Sequence, residues 1–202
     1  ERNKTTLLAL LNRLYPSSSF RRYCEATLQL FQAIKEVTGC SVIIDSSKSP
    51  QRITVLSKIV DLKVVHICRD FTGVLNSAKA FLAKDIKAGI ETDNPPGRTW
   101  KVLTDWIFTN AVTELFCLGI DSEKVSYKNY VTMPELLNRI HPEIGNISAD
   151  QTFSGDHMLA GNLIRLKKNI RINPDIGFRF HRLNSRQKKI ARGIDRVFPF
   201  WN

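Results

Sequence analysis

The stretch Ser41–Phe81, SVIIDSSKSPQRITVLSKIVDLKVVHICRDFTGVLNSAKAF, decides the fold because it contains two short apolar runs that each end in polar residues. The runs are Val42–Ile44 and Val64–Cys68, and a basic segment that we predict to be helical connects them. A short apolar run closed by polar residues is typical of a strand that is buried on both faces. The stretch therefore predicts a β-α-β unit with two parallel strands.

The rest of the chain extends this unit into an α/β domain. Its 202 residues and 43% hydrophobic content suit one globular domain over residues 1–202. Ser17–Ser19 and Gly39 have the residue types that begin and end a helix, and the stretch between them has one apolar stripe. The order of elements predicts a parallel sheet flanked by helices. The predicted helices are Thr5–Leu14, Phe20–Val37, Phe71–Leu82, Trp100–Leu118 and Ser185–Val197, and the third strand is Lys124–Tyr127.

Charged residues follow both strand runs, where open α/β sheets bind their ligands. Asp45 and Lys48 follow the first run, and Arg69 follows the second. Arg69 also precedes a predicted helix, whose first N–H groups attract anions, and Ser77 lies two turns into that helix. These residues predict an anion pocket formed by a guanidinium, a helix terminus and a hydroxyl.

Each of these residues also has a plainer interpretation. Arg69 could form a surface ion pair with Asp70 or Asp45, and Asp45 could cap the next turn or orient Lys48. Arg52 could contact a phosphate or be solvated. Spacing alone leaves these alternatives open.

The same residues resemble the motifs of sulfotransferases that use 3′-phosphoadenosine 5′-phosphosulfate (PAPS). The family binds the 3′-phosphate through an Arg and a Ser eight positions later, which matches the stretch Arg69–Ser77. The resemblance extends in the family's order from Val42 to Arg165. Further matching elements are Asp45–Pro50, Trp106 with Asn110, Val125–Tyr130, and His157 with Gly161–Arg165.

The resemblance implies a three-layer, P-loop-NTPase-like parallel sheet and transfer of a sulfuryl group to a hydroxyl or amine. The acceptor would be a carbohydrate, a lipid or a small molecule, and no metal is implied. Lys48 would balance charge on the transferring group, and Asp45 would be the general base if burial raises its pKa, with His157 as an alternative base. The implied PAPS-binding residues are Arg69, Ser77, Tyr127, Arg52, Asn162 and Arg165.

Two features depart from the family pattern. Its first strand and 5′-phosphosulfate loop have no counterpart in residues 1–40, so the resemblance implies that they lie outside this chain. Lys128 stands where the family has Glu after the Tyr.

The alternative interpretation of the chain is a fragment of a P-loop nucleotide kinase, although no G-x4-G-K-[ST] motif occurs in the sequence.

Composition predicts the sign of the charge of a binding partner but not the identity of that partner. The net charge is +11, and residues 165–196 carry eleven Lys or Arg against two Asp. A basic nucleic-acid-binding module is therefore a third interpretation, although no recognisable motif supports it and we expect no nucleic-acid partner. The four cysteines lack metal-site spacing, which favours core thiols. We expect a cytoplasmic enzyme without a transmembrane segment, with the Golgi lumen as the competing location.

Overall fold

The computed structural model describes residues 2–87, 99–133, 152–153, 170–171 and 182–201. These residues form a mixed α/β structure that is mostly helical. None of the described helices is long and apolar enough to cross a membrane. The helices are α1 (Arg2–Leu14), α2 (Ser18–Thr38), α3 (Arg52–Leu56), α4 (Phe71–Lys87), α5 (Thr99–Cys117), α6 (Tyr127–Thr132) and α7 (Ser185–Val197). The strands are β1 (Val64–Cys68), β2 (Ser122–Ser126), β3 (Thr152–Phe153) and β4 (Ile170–Arg171).

The strands form two small sheets. β1 and β2 pair in parallel, and the backbone N–H of Val64 donates to the carbonyl oxygen of Asp121 at 2.9 Å. β3 and β4 pair in an antiparallel arrangement, with Thr152 opposite Arg171. The predicted α/β class and the parallel relation of β1 and β2 are confirmed.

The predicted strand at Val42–Ile44 is not present in the structure. Residues 42–49 have no regular secondary structure, and Ile44 is 77% exposed. A strand requires a neighbour that accepts and donates its backbone hydrogen bonds, and no strand of the described residues pairs with this segment. Apolar composition alone therefore did not produce a strand here.

The predicted ends of α2 are confirmed by its hydrogen bonds. The hydroxyl of Ser17 accepts from the N–H of Phe20 at 3.2 Å. At the other end, Gly39 adopts φ 66°, a left-handed conformation that glycine adopts without steric cost, and donates its N–H to the carbonyl of Lys35 at 2.8 Å. Both ends follow the residue types that the sequence supplies.

The described chain divides into two compact units. The first contains Glu1–Val65 and Ala111–Glu123, and the second contains His66–Asn110 and Lys124–Asn202. In the first unit, α3 buries four consecutive residues, and Arg13 donates to the carbonyl oxygens of Phe116, at 3.2 Å, and Leu118. The buried residues of α3 are Ile53, Thr54, Val55 and Leu56.

The second unit has an aromatic core around Trp106. Trp106 is 6% exposed, so it packs in the interior of this unit. The rings of Phe198 and Trp201 stack at 5.3 Å and both meet Trp106 edge-on, so the segment that follows α7 docks on this core. The buried members of this core are Cys68, Phe71, Leu75, Val102, Leu103, Trp106, Leu183, Ala191 and Trp201.

Candidate anion-binding site

The candidate site lies at the carboxyl ends of the two parallel strands in the second unit. Arg69 directly follows β1, and Tyr127 directly follows β2. Because the strands are parallel, these two positions lie at the same edge of the sheet. The guanidinium carbon of Arg69 lies 4.7 Å from the centroid of the Tyr127 ring, which is a cation–π contact. The structure therefore brings together two of the residues predicted to bind the cofactor.

Ser77 completes this group. Nη1 of Arg69 donates to the hydroxyl oxygen of Ser77 at 3.0 Å. The backbone of Arg69 is also fixed, because the indole N–H of Trp106 donates to its carbonyl oxygen at 2.9 Å. Arg69, Ser77 and Tyr127 are all half-buried. A guanidinium and a hydroxyl in this arrangement can bind a phosphate or sulfate oxygen.

Gly73 makes the folded-back conformation of Arg69 possible. A methyl group added at Gly73 would lie 2.7 Å from Nε of Arg69 and 2.7 Å from Oδ1 of Asp70. No carbon atom fits at such distances, so Arg69 can lie along the first turn of α4 only because residue 73 has no side chain. Gly73 was not among the predicted site residues, although a glycine within a helix is a signal of close approach.

The N–H groups at the amino end of α4 have different binding partners from those we predicted. The N–H of Phe71 donates to Oδ1 of Asp195 at 2.7 Å, and the hydroxyl of Thr72 donates to Oδ2 of the same carboxylate. The N–H of Gly73 donates to Oδ2 of Asp70 at 3.1 Å. Two carboxylates of the chain thus bind the first turn of α4, where we expected an external anion. The anion-binding groups that remain are the guanidinium and the hydroxyl.

The carboxyl of Asp70 has a shifted pKa. Burial raises this pKa above its ordinary value, and the nearby negative charge of Asp195 raises it further. The hydrogen bond from Gly73 and the charge of Arg69 act in the opposite direction without cancelling the shift. Asp70 therefore ionises less readily than an ordinary aspartate.

Arg52 and Asp45 form a separate cluster in the first unit. Nε of Arg52 donates to Oδ2 of Asp45 at 3.1 Å, while Nη1 donates to the hydroxyls of Tyr23 at 2.9 Å and Thr27 at 3.3 Å. The guanidinium also lies near the rings of Tyr23 and Phe31. Arg52 is neither solvated nor directed only at a phosphate, because most of its donors bind groups of the chain.

The pKa of Asp45 moves in the direction opposite to the one that a general base needs. Burial alone would raise this pKa, but the hydrogen bonds from Ser47 and Arg52 outweigh burial, so the pKa is lowered. Oδ1 of Asp45 accepts from the N–H of Ser47 at 2.9 Å, which is the turn-capping role that the plainer interpretation predicted. The condition on which the base assignment depended, a pKa raised by burial, is not met.

The other predicted site residues are not among the described residues of the second unit. Lys48 is exposed and lies in the first unit. Asn162, Arg165 and the alternative base His157 lie outside the described residues. Lys128, which stands where the family has Glu, is exposed.

The histidine and cysteine side chains of the described ranges show structural roles. Nε2 of His66 lies 3.1 Å from Oδ1 of Asn110. All four cysteines are free thiols, with Cys24 and Cys68 buried. Across residues 2–87, 99–133, 152–153, 170–171 and 182–201, no group of three or more His, Cys, Asp or Glu side chains could hold a metal ion.

Comparison of the chain with protein-family models, with curated proteins and with solved structures gives no match.

Proposed function

We propose that the chain is a PAPS-dependent sulfotransferase in which Arg69 and Ser77 bind the 3′-phosphate of the nucleotide. The observation that carries the proposal is the 3.0 Å contact between Nη1 of Arg69 and the hydroxyl of Ser77 at the carboxyl end of β1. We further propose that β1 and β2 belong to a three-layer, P-loop-like sheet. The acceptor class is a hydroxyl or amine of a carbohydrate, a lipid or a small molecule.

The chemistry of the pair supports this role. A guanidinium presents five N–H donors in one plane, and the contact with Ser77 occupies one nitrogen only, so other donors can bind phosphate oxygens. The hydroxyl of Ser77 can rotate and donate to the same group. A charge-assisted hydrogen bond of this kind contributes about 1.5–3 kcal/mol. The ring of Tyr127 limits the motion of the guanidinium and offers an aromatic face beside it.

Two carboxylates near this site make the positive charge of Arg69 necessary for phosphate binding. Asp70 and Asp195 bind the first turn of α4 and carry negative charge that opposes an incoming phosphate. The raised pKa of Asp70 reduces that opposition when its carboxyl is protonated. Arg69 supplies a positive charge that counters the carboxylates, so affinity for a phosphate should depend strongly on this residue.

Transfer of the sulfuryl group involves residues other than those that bind the 3′-phosphate. PAPS, when bound, supplies the sulfuryl group that the acceptor receives. In the proposal, Lys48 stabilises negative charge near that group, since an exposed ammonium is free to reach a bound anion. Asp45 orients Arg52 through their 3.1 Å ion pair and does not remove the acceptor proton, because its pKa is lowered.

Calorimetric binding of 3′-phosphoadenosine 5′-phosphate tests the proposal. We expect this nucleotide to bind more tightly than AMP, which lacks the 3′-phosphate. Arg69→Ala should weaken its binding by about 10- to 100-fold, and Ser77→Ala by a smaller factor, while AMP binding changes little. Arg22→Gln removes an exposed charge on α2 and serves as the control. Equal affinity for the two nucleotides in a folded chain would contradict the proposal.

A further inference from the structure

Helix α7 carries a stripe of basic residues along one side. The stripe lines a shallow surface concavity of about 560 Å³, and the intervals between its members are three, one, three, one and three residues, which places them on one face of a helix. It contains four cations and no carboxylate. Its members, called the α7 stripe below, are Ser185, Lys188, Lys189, Arg192, Gly193 and Arg196.

The opposite side of α7 is fixed to the second unit. Ala191 is fully buried, and the Asp195 carboxylate accepts from Phe71 and Thr72 on α4. Oε1 of Gln187 accepts from Nζ of Lys79 at 2.8 Å. The amino end of α7 is closed by reciprocal hydrogen bonds between Asn184 and Gln187, with distances of 2.9 and 3.2 Å. The helix that carries the α7 stripe is therefore anchored to the second unit and capped at its amino end.

The four cations of the stripe have no ion-pair partner in the part of the chain that the structure describes. Ion pairs there join Arg52 to Asp45 and Lys63 to Asp121. Like charges at neighbouring positions of a helix repel each other, so concentrating four of them on one face works against the stability of α7. An anionic partner would remove this cost.

Gly193 leaves open space beside the helix backbone among the basic side chains. It lies within α7 among the basic side chains, and a methyl group added there would have no atom within 4 Å. A helix is less stable with a glycine inside it than with an alanine, and the fold has no steric requirement for glycine at position 193. Its absence of a side chain leaves a gap where a ligand can lie against the helix backbone.

We propose that the α7 stripe binds the phosphate backbone of double-stranded nucleic acid without reading its sequence. From Lys188 to Arg196 the helix rises about 12 Å. A duplex carries one charge per about 1.7 Å of its axis, so that length presents about seven phosphates, of which about half face one side. This number matches the four cations of the stripe.

The side chains of the stripe also indicate the type of nucleic acid. Single-stranded nucleic acid is bound by aromatic side chains on which bases stack, and adenine is read by the amide groups of Asn or Gln. The stripe has no aromatic and no amide side chain. The inference departs from our expectation of no nucleic-acid partner, and it does not depend on the Arg69 site.

The salt dependence of binding tests this inference. Fluorescence anisotropy of a duplex of about 20 base pairs, titrated with the full chain between about 50 and 200 mM salt, should give a slope of log K against log salt near −3.6, about 0.9 for each of four phosphates. Lys189→Gln and Arg192→Gln should each reduce the magnitude of this slope by about 0.9. The matched control Arg22→Gln, an exposed residue on α2, should leave the slope unchanged.

Gly193→Ala separates binding from folding. The alanine should raise the Tm by about 2–4 °C, because it favours the helix, and should weaken duplex binding several-fold, because its methyl group fills the gap. The inference is overturned if Gly193→Ala binds the duplex as tightly as the native chain, or if the charge variants leave the slope unchanged. Tighter binding to a single strand, to a sulfated polysaccharide or to anionic phospholipid vesicles would also overturn it. None of these outcomes affects nucleotide binding at Arg69.

Discussion

Arg69 and Gly73 are in such close contact that a methyl group at residue 73 would lie 2.7 Å from Nε of Arg69. The side chain of Arg69 passes over this glycine on its way to Ser77, whose hydroxyl accepts from Nη1. The anion-binding geometry therefore depends on a residue that has no polar side chain of its own. Substitution at Gly73 should change ligand binding through the position of Arg69.

Gly73→Ala should displace the guanidinium of Arg69 from Ser77. We expect affinity for 3′-phosphoadenosine 5′-phosphate to fall about tenfold or more, as for loss of a charge-assisted hydrogen bond. The free energy of unfolding should change by less than about 1 kcal/mol, because the alanine favours the helix while the displaced side chain opposes it. Calorimetry and urea denaturation measure the two quantities. Gly193→Ala, where the added methyl group meets no atom, should keep full nucleotide affinity.

Asp195→Ala should destabilise the second unit. It removes the acceptor of the Phe71 N–H and of the Thr72 hydroxyl, and both residues are buried, at 0% and 6% exposure. Two buried donors left without partners cost about 2–4 kcal/mol in the free energy of unfolding. Urea denaturation measures this loss, with the exposed Glu36→Ala as control. A loss no larger than that of the control would show that solvent replaces Asp195.

Asp70 should make the stability of the fold fall as pH rises. Burial first, and the charge of Asp195 second, raise its folded pKa above the ordinary value of 3.8, so the folded chain holds this proton more tightly than the unfolded chain does. Stability from this group is complete below pH 3.8 and decreases as the pH rises through the folded pKa. The decrease cannot exceed about 1.4 kcal/mol per pH unit for one proton.

Asp70→Asn tests this dependence. The neutral amide can still accept from the N–H of Gly73. The free energy of unfolding of the variant, relative to that of the native chain, should therefore increase between about pH 4 and pH 7. Urea midpoints measured across that range give the difference directly. A difference that stays constant with pH would mean that Asp70 ionises normally in the folded chain.

Arg52→Lys should reduce stability without affecting nucleotide binding. An ammonium cannot reproduce the planar contacts that Arg52 makes with Asp45, Tyr23 and Thr27, so we expect a loss of about 1–2 kcal/mol in the free energy of unfolding. Affinity for 3′-phosphoadenosine 5′-phosphate should remain within about twofold of the native value. Weaker nucleotide binding at unchanged stability would instead assign Arg52 to the cofactor, as the sequence motif implied.

Local patterns were sufficient to predict most of the helices and the β1 end of the site. They did not predict α6, because the predicted third strand Lys124–Tyr127 is Ser122–Ser126 in the structure and Tyr127 begins α6. Ser17 and Gly39 mark the ends of α2 through their own backbone preferences, and Ser185–Val197 is a helix with the predicted bounds. The contact between Arg69 and Ser77 follows from their spacing, because Arg69 directly precedes α4 and Ser77 lies two turns into it. Such features depend on residues that are close in sequence.

Features that depend on distant residues could not be predicted in this way. The apolar run Val42–Ile44 resembles β1 in composition, but a strand also requires a partner whose position the run does not encode. Asp195 binds the first turn of α4 across a separation of 124 residues, and no local pattern indicates that contact. Arg52 was ambiguous for the same reason, because its partners Tyr23 and Thr27 belong to another helix.

The contact between Phe71 and Asp195 also has a consequence for the order of folding during synthesis. A ribosome makes Arg69 and the start of α4 early, but the carboxylate that holds this turn is made 124 residues later. Closing so long a loop is entropically costly, so the turn gains this hydrogen bond only when α7 packs. A nascent chain that stops before Asp195 should therefore expose the Phe71 N–H to solvent exchange, and its protection would report completion of the second unit.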